Sequence, residues 1–124
     1  MLPKLVPALA IGMLMPLGMM LATPAAAGPV AVLVAVPVPP GLPRAQLEAA
    51  FAGSVGDYQG KPGLIRKYYT IGDDGRAGGI YLWESRAAAD AWYNAAWKAG
   101  VLKRWGAPAS LSYFDVPTIV DNAK

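Results

Sequence analysis

Three observations predict an α+β fold in the ferredoxin-like order β-α-β-β-α-β. Strand-forming runs occur at 30–36, 64–71, 79–84 and 110–116. A glycine-bracketed turn joins the middle two, and a segment of helical periodicity separates each outer run from its neighbour.

Val30 to Val36 ("VAVLVAV") is an unbroken apolar run, mostly β-branched, between Pro29 and Pro37, which reads as a central strand buried on both faces. "PVPPGLP" then turns the chain, and Pro43 suits the first position of a helix. From Arg44 to about Val55, Leu47, Ala50, Phe51 and Val55 share one helical face while Arg44, Gln46 and Glu48 lie off it. Gly53 and Gly56 weaken its end, and "GDYQGKPG" is a loop.

Leu64 to Ile71 ("LIRKYYTI") is a strand with Ile65, Lys67, Tyr69 and Ile71 on one face and Leu64, Arg66, Tyr68 and Thr70 on the other. "GDDG", Gly72 to Gly75, makes a tight turn, and "GGIYLWE" returns as the partner strand with Gly79, Tyr81 and Trp83 on one face. Two adjacent glycines at the mouth of such a strand imply a close backbone approach or a bulge. Ser85 can cap a helix from Arg86 to about Lys98, which carries Trp92, Tyr93 and Trp97 and closes at Gly100. "VLKRWG" is a short turn before the last strand, Ser110 to Val116. Two helices cover one face of a four-stranded sheet. The other face carries enough apolar and aromatic surface to predict a homodimer packed sheet to sheet.

Composition removes several chemistries. The 124 residues contain no cysteine and no histidine, so thiolate, disulfide, Ser-His-Asp and His-ligated metal sites cannot be built. The acidic residues are scattered apart from Asp73-Asp74, and no metal or cofactor is expected. Residues 1–27 hold one charge, Lys4, then an apolar stretch, then "TPAAAG", the pattern of a secretory signal with cleavage after Ala27. A membrane anchor is the competing reading of that stretch. Pro7, Gly12, Pro16 and Gly18 interrupt it and the small residues follow at once, which favours export to the periplasm or medium without stable membrane insertion. Losing Lys4 lowers the net charge from +3 to +2, too mild to argue for nucleic acid.

Two motif readings fail on spacing. "GDDGRAGG" lacks the glycine spacing of a phosphate loop and leads into a strand instead of a helix. "RAGGIYLW" places Ala77, Gly78 and Ile80 where an RNA recognition motif needs glycine and stacking aromatics, so no nucleic-acid partner is expected. A polar-aromatic set remains: Arg66, Lys67, Tyr69, Tyr81, Trp83, Trp92, Asn94, Trp97 and Tyr113. Aromatic walls with a few polar tips suit a pocket for a planar organic ligand, although each ring taken alone is better accounted for as core. Lys67 stands apart, because a charged stem between tyrosines in mid-strand must snorkel, line a cavity or pair. Glu84 is its candidate ion-pair partner across the hairpin.

Pro62-Gly63-Leu64 with Lys67, the block Ala77 to Leu82, and Phe114-Asp115-Val116 resemble the YdhR-type mono-oxygenase family, over roughly Val30 to Asn122. The resemblance implies the dimeric α+β barrel, a ferredoxin-like unit paired through its sheet, in a family whose members are usually cytoplasmic. It also implies oxygenation of a small quinol-like or polyphenol-like aromatic without metal or flavin. Haem-using members of the wider superfamily rely on an axial histidine, which this chain lacks. In that frame Lys67, Tyr69 and Asn94 are the catalytic candidates, with Lys67 or Arg66 stabilising a phenolate. Arg66, Tyr81, Trp83, Trp92, Trp97 and Tyr113 are the substrate-binding candidates. A non-catalytic module holding a small ligand or a protein partner is the alternative.

Overall fold

The structure is a computed structural model that describes residues 28–123, so the expected signal segment lies outside the described residues. The chain forms β1 (Val30–Pro37), α1 (Arg44–Tyr58), β2 (Leu64–Ile71), β3 (Arg76–Trp83), α2 (Arg86–Trp92), α3 (Ala95–Trp105) and β4 (Ser110–Asp115). All pairings are antiparallel and the strand order is β2-β3-β1-β4, the ferredoxin-like arrangement.

The expected central strand is central: β1 lies between β3 and β4. Its burial is one-sided in the single chain, however. Val30, Val32, Val34 and Val36 are buried toward the helices, whereas Leu33 is 39 % exposed on the far face. Tyr68, Ile80 and Phe114 are exposed as well, and register places Ile80 opposite Leu33 and Tyr68 opposite Ile80. The unbroken apolar pattern of β1 therefore supplies two surfaces, of which the helices cover one.

Several expectations need correction. A bulge between Leu64 and Arg66 leaves Ile65 out of the ladder and exposed, and returns Leu64 to the core side beside Trp83. Pro43 stands at the N-cap of α1, one residue before the helix proper, and its carbonyl accepts from the Gln46 and Leu47 N–H groups. That helix runs three residues past the expected end, to Tyr58.

The helix expected over Arg86 to Lys98 is two helices. Tyr93 leaves helical geometry at ψ 54°, and Asn94 starts α3, accepting the Trp97 N–H at 2.9 Å and donating to the Ala91 carbonyl at 3.1 Å. "VLKRWG" is consequently the end of α3 and not a turn. Gly100 lies inside that helix, and Gly106, at φ 77°, caps it in the left-handed conformation. The Ser85 cap is present, accepting the Ala88 N–H at 3.1 Å.

The core sits between sheet and helices around Val30, Val32, Val34, Tyr81, Trp83, Ala89 and Tyr93. Its one buried polar link runs from the Trp83 indole N–H to the Tyr93 hydroxyl at 3.1 Å. Helix α1 takes little part, with Leu47 its only fully buried residue. It stands off the sheet, and the gap it leaves positions the site.

Candidate functional site

A cavity of about 460 Å³ opens between the sheet, α1 and α3. This is within the usual size of a small-molecule site. Val34, Val36 and Ala77 supply its aliphatic floor; Lys67, Tyr69 and Tyr81 come from β2 and β3. Helix α1 contributes Phe51, Ser54, Asp57 and Tyr58, α2 contributes Trp92, and α3 contributes Trp97, Val101, Arg104 and Trp105. A smaller hollow of about 250 Å³ shares Tyr58, Lys67 and Tyr69 with it.

Lys67 is the chemical centre of this wall. The strand alternation of β2 directs it to the helix side, opposite Tyr81 in the ladder. Its Nζ lies 3.5 Å from the ring centre of Tyr58, 3.9 Å from that of Tyr69 and 4.7 Å from that of Tyr81. Such contacts contribute about 0.5–2 kcal/mol each to the ammonium form. They do not offset the loss of water: burial pulls the Lys67 pKa down to about 7, with Asp57 the charge that pulls the other way. The amine therefore exchanges a proton near neutral pH. The expected pairing with Glu84 is not formed; Glu84 is exposed, and its backbone N–H donates to the Gly63 carbonyl at 2.8 Å.

Two adjacent glycines inside β3, Gly78 and Gly79, make the arrangement possible. A Cβ on Gly79 would lie 3.1 Å from Lys67 Cε, 3.1 Å from Tyr81 Cε1 and 2.9 Å from the Tyr68 carbonyl oxygen. A Cβ on Gly78 would overlap the Val34 carbonyl group across the β1–β3 ladder. Gly79 clears the path of the lysine stem and Gly78 lets the two central strands close.

The phenols form a connected set. The Ser54 hydroxyl donates to the Phe51 carbonyl at 3.0 Å, so the 2.6 Å contact between Tyr69 and Ser54 has Tyr69 as its donor. Tyr58 packs edge-on against Tyr69, Tyr81 and Trp92, with ring centres 6.3, 5.9 and 5.5 Å apart. Burial raises the pKa of Tyr69 and pushes that of Tyr81 far up, so both keep their protons. The Trp92 indole N–H is shut off from solvent and has no acceptor among the described residues.

Of the sequence candidates, Lys67, Tyr69, Tyr81, Trp92 and Trp97 converge on the cavity. Four do not. Trp83 lies beneath it, 1 % exposed and stacked under Tyr81. Asn94 is the cap of α3 and sits on the surface. Tyr113 lies under the Arg86 guanidinium, whose centre is 4.0 Å from its ring centre. Arg66 is outside the main cavity, 3.7 Å from Asp121. Sequence reasoning missed Ser54, Asp57, Tyr58, Arg104 and Trp105. The signal for α1 was available: Leu47, Phe51, Ser54 and Tyr58 recur at i, i+4, i+7 and i+11, one helical stripe.

Among the described residues no group of three or more carboxylates could hold a metal ion, and no helix is long and apolar enough to cross a membrane. The chain matches no protein-family model, and no curated protein matches it. Solved structures do match. A protein of unknown function from Nitrosomonas europaea superposes with a TM-score of 0.62 at 16 % identity, over 79 % of this chain and 98 % of that one. A haem-degrading protein from Mycobacterium tuberculosis gives 0.57 at 29 % identity, over 78 % and 100 %. A monooxygenase of Streptomyces coelicolor in complex with nanaomycin D gives 0.54 at 21 % identity, over 78 % and 94 %. The chain thus shares its fold with monooxygenase-like and haem-degrading proteins.

Proposed function

We propose that the protein is a mono-oxygenase of the YdhR type, acting on a small phenolic aromatic with dioxygen as the oxidant and without metal or flavin. The observation that carries this reading is the Lys67 amine, poised near neutrality and set among three tyrosine rings on the wall of an aromatic cavity. The shared fold with monooxygenases supports it.

Haem, the group named for the Mycobacterium neighbour, does not fit these residues. No imidazole exists in the chain, and Tyr69 and Tyr81 hold their protons more tightly than free phenols, which opposes a phenolate–iron bond.

In the proposed reaction, neutral Lys67 accepts the substrate's phenolic proton and its ammonium form then faces the phenolate. The electron-rich ring carbon para to the oxygen forms a bond to dioxygen, and the O–O bond breaks. One oxygen atom stays as the second carbonyl of a quinone. The other leaves as water with the two hydrogens lost by the substrate, so phenol and dioxygen give quinone and water. Phe51, Trp92, Trp97 and Trp105 flank the ring and keep bulk water from the anion. Tyr69, with its proton committed to Ser54, positions the wall and is not the acid.

Oxygen uptake with a panel of phenols and 1-naphthols that carry hydrogen at the para carbon, with metals chelated, tests this. Turnover that Lys67→Met abolishes is the expected result. Tight binding without any oxygen uptake would replace the enzyme with a small-ligand binding module. We place this activity in the periplasm or medium, because residues 1–27 have the pattern of a cleaved export signal. Mass spectrometry of the exported protein should find Gly28 as its first residue.

A further inference from the structure

We propose that the ligand of this cavity carries an acid group as well as its aromatic ring, and that Arg104 is the residue that binds the acid. This specifies the ligand of the site described above and rests on its being an aromatic pocket. Arg104 lies in the last turn of α3 and lines the cavity beside Val101 and Trp105. Its guanidinium turns back along the helix: a Cβ on Gly100, one turn earlier, would lie 3.0 Å from one of its terminal nitrogens. Gly100 is a poor helix former, and here it gives the arginine head room to lie flat against the helix surface.

The guanidinium is also unpaired. Four ion pairs form among the described residues, using Arg44, Arg66, Arg76 and Arg86, and Arg104 belongs to none of them. Its neighbour Lys103 does not line the cavity, so the position on the helix selects Arg104. Asp57 is the one carboxylate on the lining and is more than 4 Å from any arginine nitrogen. The planar fork of an arginine suits a carboxylate through two parallel N–H donors, which a point charge cannot match. Lys67 comes from β2 and Arg104 from α3, so a ligand that reaches both must be long enough to cross the cavity. A hydroxylated bicyclic aromatic acid has that form, with its hydroxyl at Lys67 and its carboxylate at Arg104.

Isothermal titration of the whole protein with 6-hydroxy-2-naphthoate, its methyl ester and 2-naphthol tests the assignment without relying on turnover. The acid should bind about ten- to a hundredfold more tightly than the ester, the range of a charge-assisted hydrogen bond. Arg104→Gln, at an exposed position where folding should be unaffected, should remove that preference while leaving ester and naphthol affinities as they were. Gly100→Ala should weaken the acid alone by displacing the guanidinium, and its melting curve should lie at or above that of the wild type, since alanine is the better helix former. An ester that binds as tightly as the acid, or a preference that survives Arg104→Gln, overturns the assignment and leaves the aromatic pocket standing. Failure of all three probes to bind overturns both.

Discussion

Replacing Gly78 by alanine should destabilise the protein at the upper end of what one added methyl group costs. The added carbon would overlap the Val34 carbonyl oxygen, and it would lie 2.8 Å from that carbonyl's carbon and 3.2 Å from Ala35 Cα. These atoms belong to the backbone of β1, paired on both sides, so no side-chain rotation can relieve the contact. Overpacking that flexible side chains can absorb costs about 1–3 kcal/mol. Here the strands must part, and the upper end, about 3 kcal/mol, is the appropriate figure. For a domain of this size that lowers Tm by about 12–24 °C, at about 4–8 °C per kcal/mol. Gly53→Ala is the matched control. It adds the same methyl group inside α1, where nothing lies within 4 Å, and should stabilise by about 1 kcal/mol through helix propensity. Thermal melts followed by circular dichroism should move in opposite directions for the two variants. A Gly78→Ala protein that melts with the wild type would refute the register that sets Gly78 against Ala35.

The remaining predictions concern charge, capping and assembly. Because the folded-state pKa of Lys67 lies near 7 and its unfolded value is that of a free lysine, the unfolded chain binds more protons between these values. Stability should therefore rise from pH 7 to pH 9, and Lys67→Met should flatten that rise in urea titrations. Asp57→Asn should lower the Lys67 pKa further, seen as a downshifted acid limb in the pH profile of turnover. Asn94→Ala should cost about 0.5–2 kcal/mol in denaturant unfolding yet leave ligand affinity unchanged, since Asn94 caps a helix and touches no part of the cavity. If the open sheet face pairs two chains, Ile80→Asp should convert a dimer to a folded monomer in light scattering. A wild-type protein that is already monomeric removes that pairing.

How much of this was legible in sequence depends on the length of the pattern being read. The hairpin was, to the residue at Leu64 and Ile71, because two strand-forming runs flank a four-residue glycine turn. The Ile65 bulge was not, since an extra residue in a strand leaves no mark in composition. The break at Asn94 hid in an alanine-rich run whose helix propensity is high throughout. Only the reach of the asparagine side chain to both Ala91 and Trp97 decides it. Taking Gly100 instead of Gly106 as the cap hides Arg104 and Trp105, because the residues after Gly100 then read as a turn. Reading Gly53 and Gly56 as a fraying end hid Tyr58 in the same way. In both helices the glycines lie inside the element, and at Gly100 the missing side chain makes room for Arg104.

The glycines of β3 connect these local facts to the chemistry. A lysine in mid-strand on the core side would ordinarily be expelled, because an unpaired ammonium is costly to bury. Two features retain it here. The stem fits because Gly79 leaves room beside Cε, and the head is accepted because three tyrosine faces surround it without supplying a full counter-charge. A carboxylate in contact would have made Lys67 a stable ammonium, inert as a base at neutral pH. The rings are too weak to do that, and Asp57 acts without a salt bridge, so burial sets the balance and the amine titrates near 7. The same packing that lets β1, β2 and β3 close thus produces a proton acceptor on the wall of an aromatic cavity. A larger residue at 79 would remove the base even with Lys67 in place.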